Sequence, residues 1–94
     1  MCNEPIATNN FEVLESRLAS MIDNARSLDE IELALKSQRY IKSVRLADYL
    51  LKSNPPQRDF IVSFSMQDGS TVIKIVNIYD LGNQKFQFHK LRNQ

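Results

Sequence analysis

The sequence predicts a single α+β domain, in which three N-terminal helices pack on one face of a three-stranded antiparallel β-meander. Two observations carry this prediction. Apolar residues recur at helical spacing up to the double proline at 55–56 and alternate with polar residues after it, so the period falls from 3.6 to 2. Asp68–Gly69 then separates two alternating runs, which indicates a β-hairpin. The 94 residues suffice for one core.

The first two helices have recognisable starts. Asn9 and Glu12 are spaced as in a capping box, and Ser27 with Glu30 forms the S-x-x-E box that opens a second helix at Leu28. We expect residues 1–9 to form a flexible leader, and Cys2 within it to form no disulfide or metal site. The buried stripe of the first helix is predicted to contain Phe11, Leu14, Leu18, Ile22 and Ala25.

A third helix is predicted from Tyr40 to Lys52, which makes residues 10–53 the helical part of the chain. Its apolar residues lie on the opposite side of the helical wheel from those of the second helix. One straight helix cannot bury both sets against one core, so the chain must turn between residues 37 and 40. The other side of the third helix carries a basic stripe, whose predicted contact residues for nucleic acid or an acidic partner are Arg39, Lys42, Arg45, Tyr49 and Lys52.

Residues 57–92 are predicted to form the β-meander. A two-residue turn at Asp68–Gly69 sets Phe64 opposite Ile73 and Val62 opposite Ile75. A four-residue turn around Gly82 then adds the last strand. On this register the core face contains Phe60, Val62, Phe64, Met66, Ile73, Ile75, Phe86 and Phe88.

The opposite face of this meander carries more aliphatic side chains than a solvated sheet face needs. Either that face binds a partner, or one of the turns is longer than assumed and the register slips by a residue. If the register holds, this face is the predicted partner surface. Its residues are Ile61, Val72, Lys74, Val76, Ile78, His89 and Leu91.

The charges are divided unevenly along the chain. The net charge is +1, but residues 1–35 sum to −5 and residues 36–94 to +6. Such a division is typical of a polar partner surface, and it also arises when helices and sheet neutralise each other within the fold. Of the two interpretations, the sequence favours neutralisation within the fold.

Several functional classes lack their motifs. Both glycines, Gly69 and Gly82, fall at predicted turns, so no phosphate-binding loop is expected, and a single His and Cys predict no metal or cofactor. No apolar run approaches the roughly 20 residues of a membrane span, and the N-terminus has no signal-peptide pattern. We therefore expect a cytoplasmic protein without membrane contact.

These observations favour a small non-catalytic protein-interaction module, such as a regulator, inhibitor or adaptor, that binds another protein or pairs with itself as a dimer. One alternative is a nucleic-acid-binding domain of winged-helix style, with the third helix as the reading helix. Another is a metal-free ribonuclease with a base, cations and hydroxyl groups on the sheet, namely His89, Lys74, Arg92, Ser63 and Tyr79. This set of residues resembles in style that of small bacterial toxin ribonucleases.

Overall fold

The computed structural model describes residues 11–94, which form two helices followed by a four-stranded sheet. The strands follow one another in the order β1-β2-β3-β4, and each neighbouring pair is antiparallel. The prediction of three helices on a three-stranded meander is therefore wrong, both in the number of helices and in the number of strands. The elements are α1 (Phe11–Asp23), α2 (Leu28–Lys36), β1 (Ile41–Leu46), β2 (Gln57–Ser65), β3 (Thr71–Gly82) and β4 (Lys85–Asn93).

The second helix begins as predicted. Ser27 is its N-cap, and the Ser27 hydroxyl accepts the backbone N–H of Glu30 at 3.1 Å. The predicted turn after it is also confirmed, because α2 ends at Lys36 and Ser37 caps it. Asn9 and the rest of residues 1–10 lie outside the described residues. The buried residues of the two helices are Leu14, Leu18, Ile22, Ile31 and Leu35.

The predicted third helix is a β-strand. Residues 41–46 form β1, and residues 47–56 form a connecting segment without helix, so the helical part ends at Lys36 instead of residue 53. A β-bulge between Ile41 and Ser43 explains the error. The extra residue turns Ile41 and Val44 to the same buried side although they are three positions apart, a spacing that imitates a helix.

The first hairpin loop is one residue longer than predicted. The Met66 N–H donates to the Ser70 carbonyl at 2.8 Å, and Gly69 takes the left-handed φ of +89° inside this loop. Phe64 consequently lies opposite Val72 instead of Ile73. A one-residue slip moves every side chain of β3 to the other face of the sheet, so the longer-turn alternative is confirmed.

The second hairpin is tighter than predicted. Its turn residues are Asn83 and Gln84, with φ values of 54° and 61°, and Gly82 belongs to β3 instead of the turn. The register shifts twice along this pair of strands, between Asn77 and Ile78 and between Asp80 and Gly82, and β4 stays paired with β3 on both sides of each shift. The paired strands β3 and β4 therefore extend further than a four-residue turn would allow.

Both helices pack on one side of the sheet, which we call the inner face. Phe60, Val62, Phe64, Met66 and Phe86 are buried there as predicted, and Phe88 packs against them. Val76 and Ile78 join them because of the slip in β3, whereas Ile73 and Ile75 move to the opposite side, the outer face. The inner face thus forms the core, and the outer face carries the polar chemistry.

Candidate functional site

The outer face is laid out in rows that cross the sheet. One row runs in register from Arg45 on β1 through Ile61 and Ile75 to Arg92 on β4. Cross-strand neighbours of this kind contact each other directly. Two aliphatic side chains are therefore held between two guanidinium groups, one from each edge strand.

A buried carboxylate lies in the next row. Asp59 on β2 is fully buried, and Asn77 opposite it on β3 is 1% exposed. The Asn77 amide donates to Asp59 Oδ1 at 2.7 Å, the Tyr49 hydroxyl donates to Asp59 Oδ2 at 2.7 Å, and Arg92 forms a salt bridge with Asp59 Oδ2. A buried charge is tolerated only when it is paired and hydrogen-bonded, and here three donors meet that demand.

Two further side chains extend this arrangement towards solvent. His89 Nδ1 lies 2.8 Å from Asn77 Oδ1, and the Tyr79 ring stacks on the His89 ring with centroids 4.4 Å apart. The bulge in β4 turns His89 to the same face as Asn77. We call this group the outer-face cluster; its residues are Tyr49, Asp59, Asn77, Tyr79, His89 and Arg92.

The charge of Asp59 acts on the phenol above it. The hydrogen bond to Asp59 raises the pKa of Tyr49 above its usual value, burial raises this pKa further, and Arg92 opposes the rise. Tyr49 therefore stays protonated as a donor across the neutral range. It anchors the connecting segment 47–56 to one end of the outer face, and the hydrogen bond from the Ala47 N–H to the Asp59 carbonyl does the same.

The remaining part of the outer face is open, and we call it the open half. Ile73 is 44% exposed there, beside the half-buried Ile61. Ser43 donates to Ser63 at 2.9 Å. Hydroxyl groups and aliphatic groups thus share a surface that neither helix covers.

The predicted partner surface is divided between the two faces. Ile61 and His89 lie on the outer face as expected. The other five residues lie on the inner face, where they pack with the core or at its margin. The four on β3 are there because β3 has slipped by one residue, and the register shift in β4 brings Leu91 opposite Val76. These residues are Val72, Lys74, Val76, Ile78 and Leu91.

The predicted basic stripe is distributed over three elements. Lys42 and Arg45 belong to β1 and lie on the outer face, where the Lys42 ammonium donates to Thr71 at 2.8 Å. Tyr49 joins the outer-face cluster, and Lys52 lies exposed in segment 47–56. Arg39 lies between α2 and β1. Residues 41–52 form a strand and a connecting segment, so the predicted reading helix of a winged-helix domain is wrong.

The candidate ribonuclease residues are only partly brought together. His89, Tyr79 and Arg92 meet in the outer-face cluster, and Ser63 lies on the same face. Lys74 lies on the other side of the sheet, with its ammonium 4.8 Å from the centre of the Phe11 ring and bonded to Asn93. Of the two candidate cations, Lys74 therefore lies on the opposite face from His89, whereas Arg92 lies on the same face.

Sequence reasoning missed Asp59 and Asn77. Each occupies an outward position of an alternating strand, where a polar residue is ordinary. One signal could have found them. Asp59 and Asn77 are an acid and an amide within strands whose other outward residues are mostly small or aliphatic. Only the true register shows that the two side chains lie opposite each other.

Two cavities among the described residues lie away from the outer-face cluster. One of about 390 Å³ lies between the α1–α2 connection and the β3–β4 turn, and another of about 380 Å³ is lined by Arg17 and Tyr40. Burial raises the pKa of Tyr40, and Arg17 opposes this.

Residues 11–94 contain no group of three side chains suited to a metal ion, and no helix among them is long and apolar enough to cross a membrane.

No protein-family model matches the sequence, and no curated protein or solved structure matches it.

Proposed function

We propose that this chain is a non-catalytic protein-interaction module that binds its partner through the open half of the outer face. The observation that supports this most strongly is the row Arg45–Ile61–Ile75–Arg92 beside the 44% exposed Ile73. In this patch Ile73 is the exposed side chain, whereas Ile61 is half-buried and Ile75 is buried. An aliphatic patch bordered by Arg is typical of protein interfaces, where Arg is enriched and a central apolar patch excludes water.

The outer-face cluster has a supporting role in this proposal. Its carboxylate is fully buried and accepts from Tyr49, Asn77 and Arg92, which favours a structural role for it over contact with a substrate. The cluster instead fixes the connecting segment and the β4 edge of the face. A surface held in one conformation loses less entropy when a partner binds.

The charges indicate the kind of partner. Lys42 and Arg45 on β1, and Lys90 on β4 opposite Asn77, surround the aliphatic centre. The acid of this face, Asp59, is neutralised by Arg92. The favoured partner is therefore a protein surface that combines an aliphatic side chain with acidic residues.

The test replaces the centre of the surface. Ile73→Asp places a charge in the open half, and Val13→Asp is the matched control because Val13 is 41% exposed on α1. A partner captured with the wild-type chain and then purified is titrated against all three proteins by calorimetry. We expect a loss of affinity of at least about tenfold for Ile73→Asp and none for Val13→Asp.

Equal affinity of the two variants for that partner would show that the open half does not bind it. Fluorescence anisotropy with labelled single-stranded RNA and DNA supplies the competing outcome. Salt-sensitive binding that disappears with Arg45→Glu, without any protein partner, would replace this proposal with a nucleic-acid-binding function.

A further inference from the structure

We infer that the open half of the outer face binds a second copy of this chain, by accepting the exposed side of α2. This inference rests on the proposed function, because it names the partner of the same surface. The reason is a residue of the helix layer, on the opposite side of the molecule from the outer face. Leu33 on α2 is 68% exposed, so most of this large aliphatic side chain contacts solvent.

The surroundings of Leu33 are acidic. Asp29 and Glu30 precede it by four and three positions, so they lie beside it one turn earlier on the helix surface. Glu32 adjoins it and pairs with Lys36 at 2.7 Å. The exposed side of α2 thus has an aliphatic centre with acids on its N-terminal side and the Glu32–Lys36 pair beside it. The outer face presents the opposite sign, an aliphatic centre with Lys42, Arg45 and Lys90 around it.

The complementarity extends to whole layers. Residues 11–38, which contain both helices, carry six acidic and three basic side chains, a sum of −3. Residues 39–94, which contain the sheet, carry four acidic and nine basic side chains, a sum of +5. The opposite signs of the two layers favour contact between the helix layer of one copy and the sheet of another.

The dimensions are compatible. Nine residues make α2 about 14 Å long, and the four strands span about 14 Å from β1 to β4. A helix of this length fits across the sheet. The contact is smaller than the roughly 800 Å² per partner of a standard interface, so we expect reversible association that depends on protein concentration.

The contact is head-to-tail, and this gives it a distinctive signature. Each copy uses two different surfaces, so a variant with one damaged surface keeps the other. Leu33→Asp retains an intact outer face, and Ile73→Asp retains an intact α2 surface. Neither variant can associate alone, but a mixture of the two can form one productive contact and then stop at a heterodimer.

Sedimentation equilibrium of the full 94-residue chain tests this over micromolar to millimolar concentrations. We expect the wild type to exceed the 10.9 kDa monomer mass increasingly with concentration, and to weaken at least about tenfold at about 0.5 M salt. Leu33→Asp and Ile73→Asp should each remain monomeric, their equimolar mixture should reach the mass of a dimer, and Val13→Asp should behave as the wild type.

Three outcomes would overturn the inference. A wild type that stays monomeric throughout excludes the second copy as the partner. Association of Leu33→Asp equal to that of the wild type would indicate pairing between outer faces. A mixture that stays monomeric would show that the two surfaces do not meet. If any of these occurs while Ile73→Asp still loses a different protein partner, the inference fails and the proposed function stands.

Discussion

At the residue scale, Asp59 is the side chain on which the outer-face cluster depends. It is fully buried on the side of the sheet that the helices leave uncovered, and its two oxygens accept from Tyr49, Asn77 and Arg92. These three donors join the segment before β2 and the strands β3 and β4 to one carboxylate, so Asp59 stabilises the positions of side chains from several elements.

Replacement of this carboxylate should destabilise the fold. In Asp59→Ala the Asn77 amide remains buried without its acceptor, and Arg92 loses its counter-charge. We expect the free energy of unfolding to fall by about 2–4 kcal/mol, towards the lower end because the Arg92 side chain is 36% exposed. Urea denaturation followed by circular dichroism measures this. Asp48→Ala, at an exposed position of the same segment, should change the value by no more than about 0.5 kcal/mol.

Tyr49 should titrate late. The hydrogen bond to Asp59 raises its pKa in the folded protein, so the folded state holds the phenol proton more tightly than the unfolded state does. The resulting stabilisation is complete below the usual pKa of 10.0 and is lost as the pH rises through the folded value. Tyrosinate absorbance of the wild type minus that of Tyr49→Phe should therefore titrate above this value.

The control for that titration is Tyr79→Phe, which removes a phenol without removing a donor to Asp59. A difference curve for Tyr49 centred at or below the usual value would contradict the hydrogen bond. Tyr40, whose pKa is also raised, remains in both variants and cancels from each difference.

At the element scale, the decisive features are the two hairpin turns and the bulge in β1. The first turn sets which side chains of β3 face the helices, and the bulge lets β1 bury Ile41 and Val44. The edge strand β4 is fixed by α1, because Asp23 accepts the Phe88 N–H at 3.0 Å. The first turn and the bulge are local backbone features, and each decides which side chains of its strand face the helices.

The second turn offers a stabilising change. Gln84 has a φ of 61°, a left-handed conformation that favours glycine, and the two-residue turns of hairpins favour Asn–Gly. Gln84→Gly should raise the free energy of unfolding by about 0.5–1 kcal/mol, after the greater freedom of glycine in the unfolded chain is subtracted. The same urea denaturation measures it. Gln67→Gly in the first loop should give no gain, and a loss of stability in Gln84→Gly would contradict the assigned turn.

At the scale of the whole molecule, the main feature is the separation of charge between layers. The two interpretations of the sequence were a partner surface and internal neutralisation. The salt bridges Lys36–Glu32 and Arg92–Asp59 each join residues of the same layer. Together with the opposite sums of the helix and sheet layers, they favour a molecule with an acidic side and a basic side. The head-to-tail contact proposed above follows from that arrangement.

The sequence by itself determined the features that depend on local chemistry. The Ser27–Glu30 box positioned α2, the apolar stripe Leu14–Leu18–Ile22 identified the buried side of α1, and alternation identified the strands after the prolines. These signals reside in the few residues that make them, so no distant contact is needed to interpret them.

Only the tertiary structure decided the identity of β1, the register of β3 and the outer-face cluster. The spacing of Ile41 and Val44 fits a helix and a bulged strand equally, and pairing with β2 selects the strand. One additional loop residue exchanged the faces of β3, since the side-chain period is two. Asp59, Asn77 and Arg92 lie on three different strands, so their meeting is a property of strand pairing, which local sequence does not encode.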